Sequence, residues 1–167
     1  NMRLTREIRS RMGENRIVVR DVVENLAFHP TPHMFLYHIN LGFPLMSEGT
    51  TVVFPSKRVT PREPDIPLEG HDRWQAPDPA CRERVWYHED LSIDADGMAR
   101  VSIRNPVFPL PGSPGGRPVT VSLRWRADTM PVMTHWKMPG ADVHAMGIEP
   151  ANCHVEGRAA ERRRGTL

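Results

Sequence analysis

Apolar and polar positions alternate with a period of two along much of this chain, the spacing of half-buried β-strands. In RIVVRDVVEN, Ile17, Val19, Asp21 and Val23 alternate with Val18, Arg20 and Val22, and β-branched residues dominate. With the more polar LTREIRSRM before it and a turn at Gly13-Glu14-Asn15, this predicts a hairpin over Leu4 to Asn25. The clearest strands lie later. Ala99, Val101 and Ile103 alternate with Arg100, Ser102 and Arg104, and Val119, Val121, Leu123 and Trp125 with Thr120, Ser122, Arg124 and Arg126. RERVWYHEDLSI sets Val85 and Tyr87 against Trp86 and His88, and Asp96-Gly97 is a turn signal. Thr50 to Phe54 and Val143 to Glu149 also read as strands, the second placing Val143, Ala145, Gly147 and Glu149 on one face.

The residues between are mostly loop. From Leu45 to Glu83 the chain is rich in Pro, Asp and Glu and reads as a long excursion containing His71-Asp72-Arg73-Trp74, a polar cluster beside an indole that would suit a sugar-contacting loop. Pro150 is expected to stop the ladder, leaving Glu149 at a sheet margin beside a cleft. ERRRGTL reads as the start of a further strand. With 17 prolines, long helices have no room, and the fold class expected is all-β, an antiparallel sandwich with long loops.

Composition narrows the classes without choosing one. The 167 residues, 39% hydrophobic and 25% charged, suit one soluble domain with a real core. No apolar run approaches the roughly 20 residues of a membrane span, so no membrane partner is expected. NMRLTREIRS lacks the apolar centre of a secretory signal and reads as an internal cut. The net charge of +2 is concentrated in Arg158, Arg162, Arg163 and Arg164, too small a patch for a nucleic-acid footprint. Cys81 and Cys153 form no close pair, which argues against a disulfide framework and suits a reducing cytoplasm.

Chemistry is densest in HPTPHMFLYHINLGFP, His29 to Pro44. An extended Met34 to Ile39 sets His33, Phe35 and Tyr37 on one face and Met34, Leu36, His38 and Asn40 on the other. Histidine exchanges protons near neutral pH, so one held on a rigid strand and aimed into a cleft suits general acid or base work. The eight histidines include no His-x-His spacing, which counts against a cupin-like metal site, and no metal is expected.

Two of these segments, LYHINLGFPL (Leu36 to Leu45) and WKMPGADVHAMGIEPANC (Trp136 to Cys153), resemble the aldose 1-epimerase-like proteins of the galactose mutarotase superfamily, and more narrowly a largely uncharacterised bacterial branch. The likeness covers nearly the whole chain. It implies a β-supersandwich, with residues 1–167 a single galactose mutarotase-like domain that is partial, lacking N-terminal strands and the last strand. It also implies a mechanism without cofactors: a glutamate takes the anomeric proton, a histidine protonates the ring oxygen, and the opened aldehyde recloses as the other anomer. Carried onto this chain, the base is Glu149 and the acid is His38 or His33, with His38 taken first because Tyr-His-x-Asn matches the narrower branch. Asn40, Trp136, Lys137 and His71 are the expected substrate contacts, with Asp142 a weaker one. The reading is an isomerase interconverting anomers of a free sugar or sugar derivative. Its rival is a non-catalytic carbohydrate-binding or sensing module on the same scaffold.

Overall fold

The computed structural model describes residues 1–167 and divides them into two compact units, Asn1–His33 and Met34–Leu167. The first is a two-stranded antiparallel hairpin, β1 (Met2–Ser10) and β2 (Ile17–Asn25). It closes through the Gly13 turn, whose φ of 83° is left-handed. The paired strands carry Arg3–Glu24 and Arg6–Asp21 ion pairs, at 2.8 and 2.7 Å.

The second unit is a sandwich of two antiparallel sheets. Five strands are ordered β3 (Ile39–Gly42), β10 (His144–Ala151), β9 (Val132–Pro139), β6 (Arg84–Leu91) and β5 (Ser56–Pro61). Three are ordered β4 (Thr51–Val53), β7 (Met98–Leu110) and β8 (Ser113–Arg126). Period-two alternation gives each sheet one apolar face, and these two faces make the core. Met133, Met146 and Ile148 of the larger sheet pack with Val52, Ala99, Val101, Ile103 and Trp125 of the smaller, and Leu45, Met46 and Trp74 close the edges.

Four expectations are corrected. The stretch Met34 to Ile39 is not a continuous strand: only an isolated Leu36–Ala151 bridge precedes β3. Pro150 does not end its ladder, because β10 continues to Ala151 and the Pro150 carbonyl, which needs no N–H, accepts the Tyr37 amide at 3.0 Å. Within the long excursion, Ser56–Pro61 pairs with β6 as an edge strand, where a Pro terminus and charged side chains are tolerated. Glu161 to Arg164 belong to a helix, α1 (Arg158–Arg164), that ends on left-handed Gly165, whose N–H caps the Glu161 and Arg162 carbonyls.

The core face of the larger sheet also buries imidazoles. His88 and His135 are fully buried, their ring centroids 5.7 Å apart, with Phe54 packed at 4.2 and 4.8 Å from them. His88 Nδ1 meets the Ser56 hydroxyl at 2.7 Å, whereas both His135 nitrogens lack a protein partner. Burial, with His71 nearby, pushes the His88 pKa down to about 3, and burial pushes His135 well below its ordinary range. Below the unfolded value near 6.5 the unfolded chain takes up protons that the folded protein refuses, so stability is complete above about pH 6.5 and falls as pH drops. His88 alone should cost about 2 kcal/mol between pH 7 and pH 5. In His135→Leu the dependence of chemical-denaturation stability on pH between about 4 and 6 should be roughly halved. An unchanged slope would show that His135 takes no part.

Candidate functional site

The opposite face of the five-stranded sheet carries the polar chemistry. Register explains how. Ile39 pairs with Ile148 and Leu36 bridges Ala151, so His38 falls directly opposite Glu149. Glu149 pairs with Thr134 of β9, and Thr134 with Tyr87 of β6. One row across the sheet therefore reads His38, immediately before β3, then Glu149, Thr134 and Tyr87. The row beside it reads Asn40, Gly147, Trp136, Val85.

His38 Nε2 lies 3.0 Å from Glu149 Oε1. The imidazole is half exposed, with 48% of its side-chain surface accessible, while the carboxylate is 4% exposed. The pair thus presents an open proton carrier on a buried one. Burial raises the Glu149 pKa, and the nearby charges of His38 and Arg62 pull it partly back. Gly147 makes the room: a Cβ there would meet Glu149 Oε1 at 2.6 Å and both His38 Cε1 and Trp136 Cβ at 3.2 Å. The Trp136 ring stands 6.0 Å from the His38 ring, centroid to centroid. Its indole N–H donates to Glu83 Oε2 at 3.0 Å.

The expected residues divide accordingly. His38, Glu149, Asn40 and Trp136 share this face of the sheet. His33 falls in the first unit, Asn1–His33. Lys137 is a correction: strand alternation turns it to the core side, where Nζ donates to the Gly70 and Arg73 carbonyls at 2.9 and 2.6 Å. Burial lowers its pKa to about 8. His71 is likewise turned away from the row. Its Nδ1 meets the Leu68 carbonyl at 2.6 Å and its ring stacks on Phe54 at 5.6 Å. Trp74 of the same cluster is a core residue whose indole N–H donates to His144 Nε2 at 2.6 Å.

Sequence reading passed over Arg62 and Glu83. The Arg62 amide donates to the Val85 carbonyl, which docks it beside the Trp136 row, and its Nη2 meets Glu83 Oε1 at 3.0 Å. Its Nε meets Glu63 Oε1 at 2.5 Å. The indole N–H, then the guanidinium, hold the Glu83 pKa below the usual carboxylate range. Glu83 had a legible signal, since it alternates with Val85 and Tyr87. Arg62 lies just past an edge strand too polar to be recognised.

The crystal structure of a "putative aldose 1-epimerase" from Klebsiella pneumoniae subsp. pneumoniae MGH 78578 matches this chain at a TM-score of 0.82 and 21% identity. The match covers 99% of this chain and 41% of that one, so the chain spans less than half the length of that protein. No curated protein matches it in sequence. The fold is the one seen in that crystal structure, an all-β galactose mutarotase-like sandwich, and the chain, matched over residues 1–167, belongs to the family described as Domain of unknown function (DUF4432).

Proposed function

We propose that the protein is an aldose 1-epimerase-type isomerase in which Glu149 is the base and His38 the acid. The observation that carries this is the 3.0 Å contact between an exposed imidazole just before β3 and a buried carboxylate on the neighbouring β10. The anomeric oxygen and the ring oxygen of an aldose are bonded to the same carbon, so an acid and a base side by side can address both at once. Glu149 takes the anomeric hydroxyl proton while imidazolium His38 gives its Nε2 proton to the ring oxygen. The bond from the anomeric carbon to that oxygen breaks, leaving an aldehyde, neutral His38 and protonated Glu149. After rotation about the bond to the next carbon, the reverse transfers close the other anomer and restore the ion pair. No cofactor enters these steps. Trp136 offers an aromatic wall to the C–H face of the sugar, and Asn40 a hydrogen-bonding edge.

The test is the optical rotation of a freshly dissolved single anomer, followed with and without the protein. Acceleration is expected. No acceleration across a broad aldose panel, with sugar binding retained, would leave the non-catalytic binding module. Within the isomerase reading, His38→Asn should slow kcat about a hundredfold or more, while His33→Asn changes it little. The opposite ranking would transfer the acid role. The pH profile carries a sign as well. Glu149 must be ionised to act, and its raised pKa places the acid limb of kcat/KM above the ordinary carboxylate range. His38 depresses that pKa, so the residual activity of His38→Asn should show its acid limb at higher pH than the wild type.

A further inference from the structure

Around the His38–Glu149 pair the charges are unequal. Arg62 is the cation beside Trp136, and its Nε and Nη2 are already held by Glu63 and Glu83. Its guanidinium is therefore neutralised from two sides before any ligand arrives. Adding the Glu149–His38 pair, three carboxylates stand against one guanidinium and one imidazolium on this part of the sheet face.

One unmet hydrogen-bonding group has the same bias. Glu63 Oε2 is buried without a protein partner, and an ionised carboxylate oxygen can only accept. Thr134, 1% exposed and directly opposite Glu149, has an unpartnered hydroxyl, as does Tyr87 next to it. Burial, with Glu156 and Glu63 adding to it, pushes the Tyr87 phenol up to about 12, so the phenol stays neutral. The two hydroxyls can donate or accept, so of these groups only the Glu63 oxygen calls for an O–H or N–H donor. A ligand bearing a carboxylate or phosphate adds negative charge where carboxylates already outnumber the cations.

We infer that the Arg62–Glu63–Glu83 cluster beside Trp136 is a charge filter: the site takes neutral or amino sugars and turns away sugar acids and sugar phosphates. This deepens the isomerase reading and rests on the same face being the substrate site. Glu83 acts here through Arg62 and Trp136, as a positioning residue. In Glu83→Gln the amide oxygen still accepts the indole N–H, but the charge is gone and one face of Arg62 is released.

Methyl glycosides test the filter apart from catalysis, because they cannot change anomer. Dissociation constants of a methyl hexoside and of the corresponding methyl hexuronide, which differs only in a carboxylate, are measured by ligand-observed NMR on the whole chain. At low ionic strength the uronide should bind at least about tenfold more weakly, with the gap narrowing in roughly 0.5 M salt. In Glu83→Gln the gap should shrink about threefold or more. A uronide that binds as well as the neutral glycoside, or a gap that neither salt nor Glu83→Gln changes, would overturn the filter, as would failure of both glycosides to bind. Discrimination between the glycosides without any acceleration of free-sugar mutarotation would instead sink the isomerase reading and leave the filter standing.

Discussion

Glu149→Gln should lower kcat for anomer interconversion by roughly a thousandfold while leaving the fold and the thermal midpoint nearly unchanged. The amide is isosteric with the carboxylate, and its oxygen can still accept from His38 Nε2, so the packing on β10 survives. What disappears is the ability to take a proton. Folding should not suffer, because burial works against the charged form of Glu149 and the substitution removes that charge. The measurement is polarimetric kcat beside a thermal melt. Turnover at the wild-type rate in a folded variant would remove Glu149 from the chemistry.

Gly147→Ala should have the next largest effect, about a hundredfold in kcat, from a single added methyl. Gly147 lies in the middle of a regular ladder, paired with Trp136 on one side and Asn40 on the other, so the backbone there accepts alanine. The obstruction is local. The new Cβ would stand 2.6 Å from Glu149 Oε1, and the carboxylate, as the movable end of its side chain, is what must give way. Its displacement breaks the 3.0 Å contact with His38, while Trp136 Cβ and His38 Cε1 at 3.2 Å hinder an easy escape. The accompanying loss of stability should be about 1 kcal/mol. Kinetics and denaturant titration on the same preparation separate the two effects, and full activity in Gly147→Ala would mean that the observed pairing is not the working geometry.

Much of the sandwich was legible because period-two alternation is a local property. β7 and β8 show it plainly, and β10 shows which residues share the face of Glu149. Where local signals conflict, tertiary pairing decided: Pro150 stays in its strand because its carbonyl has a partner in the Tyr37 amide. The helix near the end was misread, although its flanking glycines, Gly157 and Gly165, were visible stop signals. For the site, alternation could say that His38 and Asn40 share a face and that Trp136 and Lys137 do not. It could not say which face is the outer one. A lysine would ordinarily be assigned to solvent, and only the carbonyls of the 68–74 loop make its burial tolerable. Adjacency of His38 and Glu149 depends on the register between β3 and β10, which no stretch of sequence encodes by itself.

The same lysine sets the terms for chemical labelling. The chain has two lysines, and Lys137 is sealed at 2% exposure whereas Lys57 is exposed. Within residues 1–167, amine-reactive dyes, cross-linkers and resins should therefore attach through Lys57, leaving Lys137 unmodified. An adduct that grows in slowly at Lys137 would time the undocking of the Gly70 to Arg73 segment, giving a built-in clock for local opening without any engineered probe.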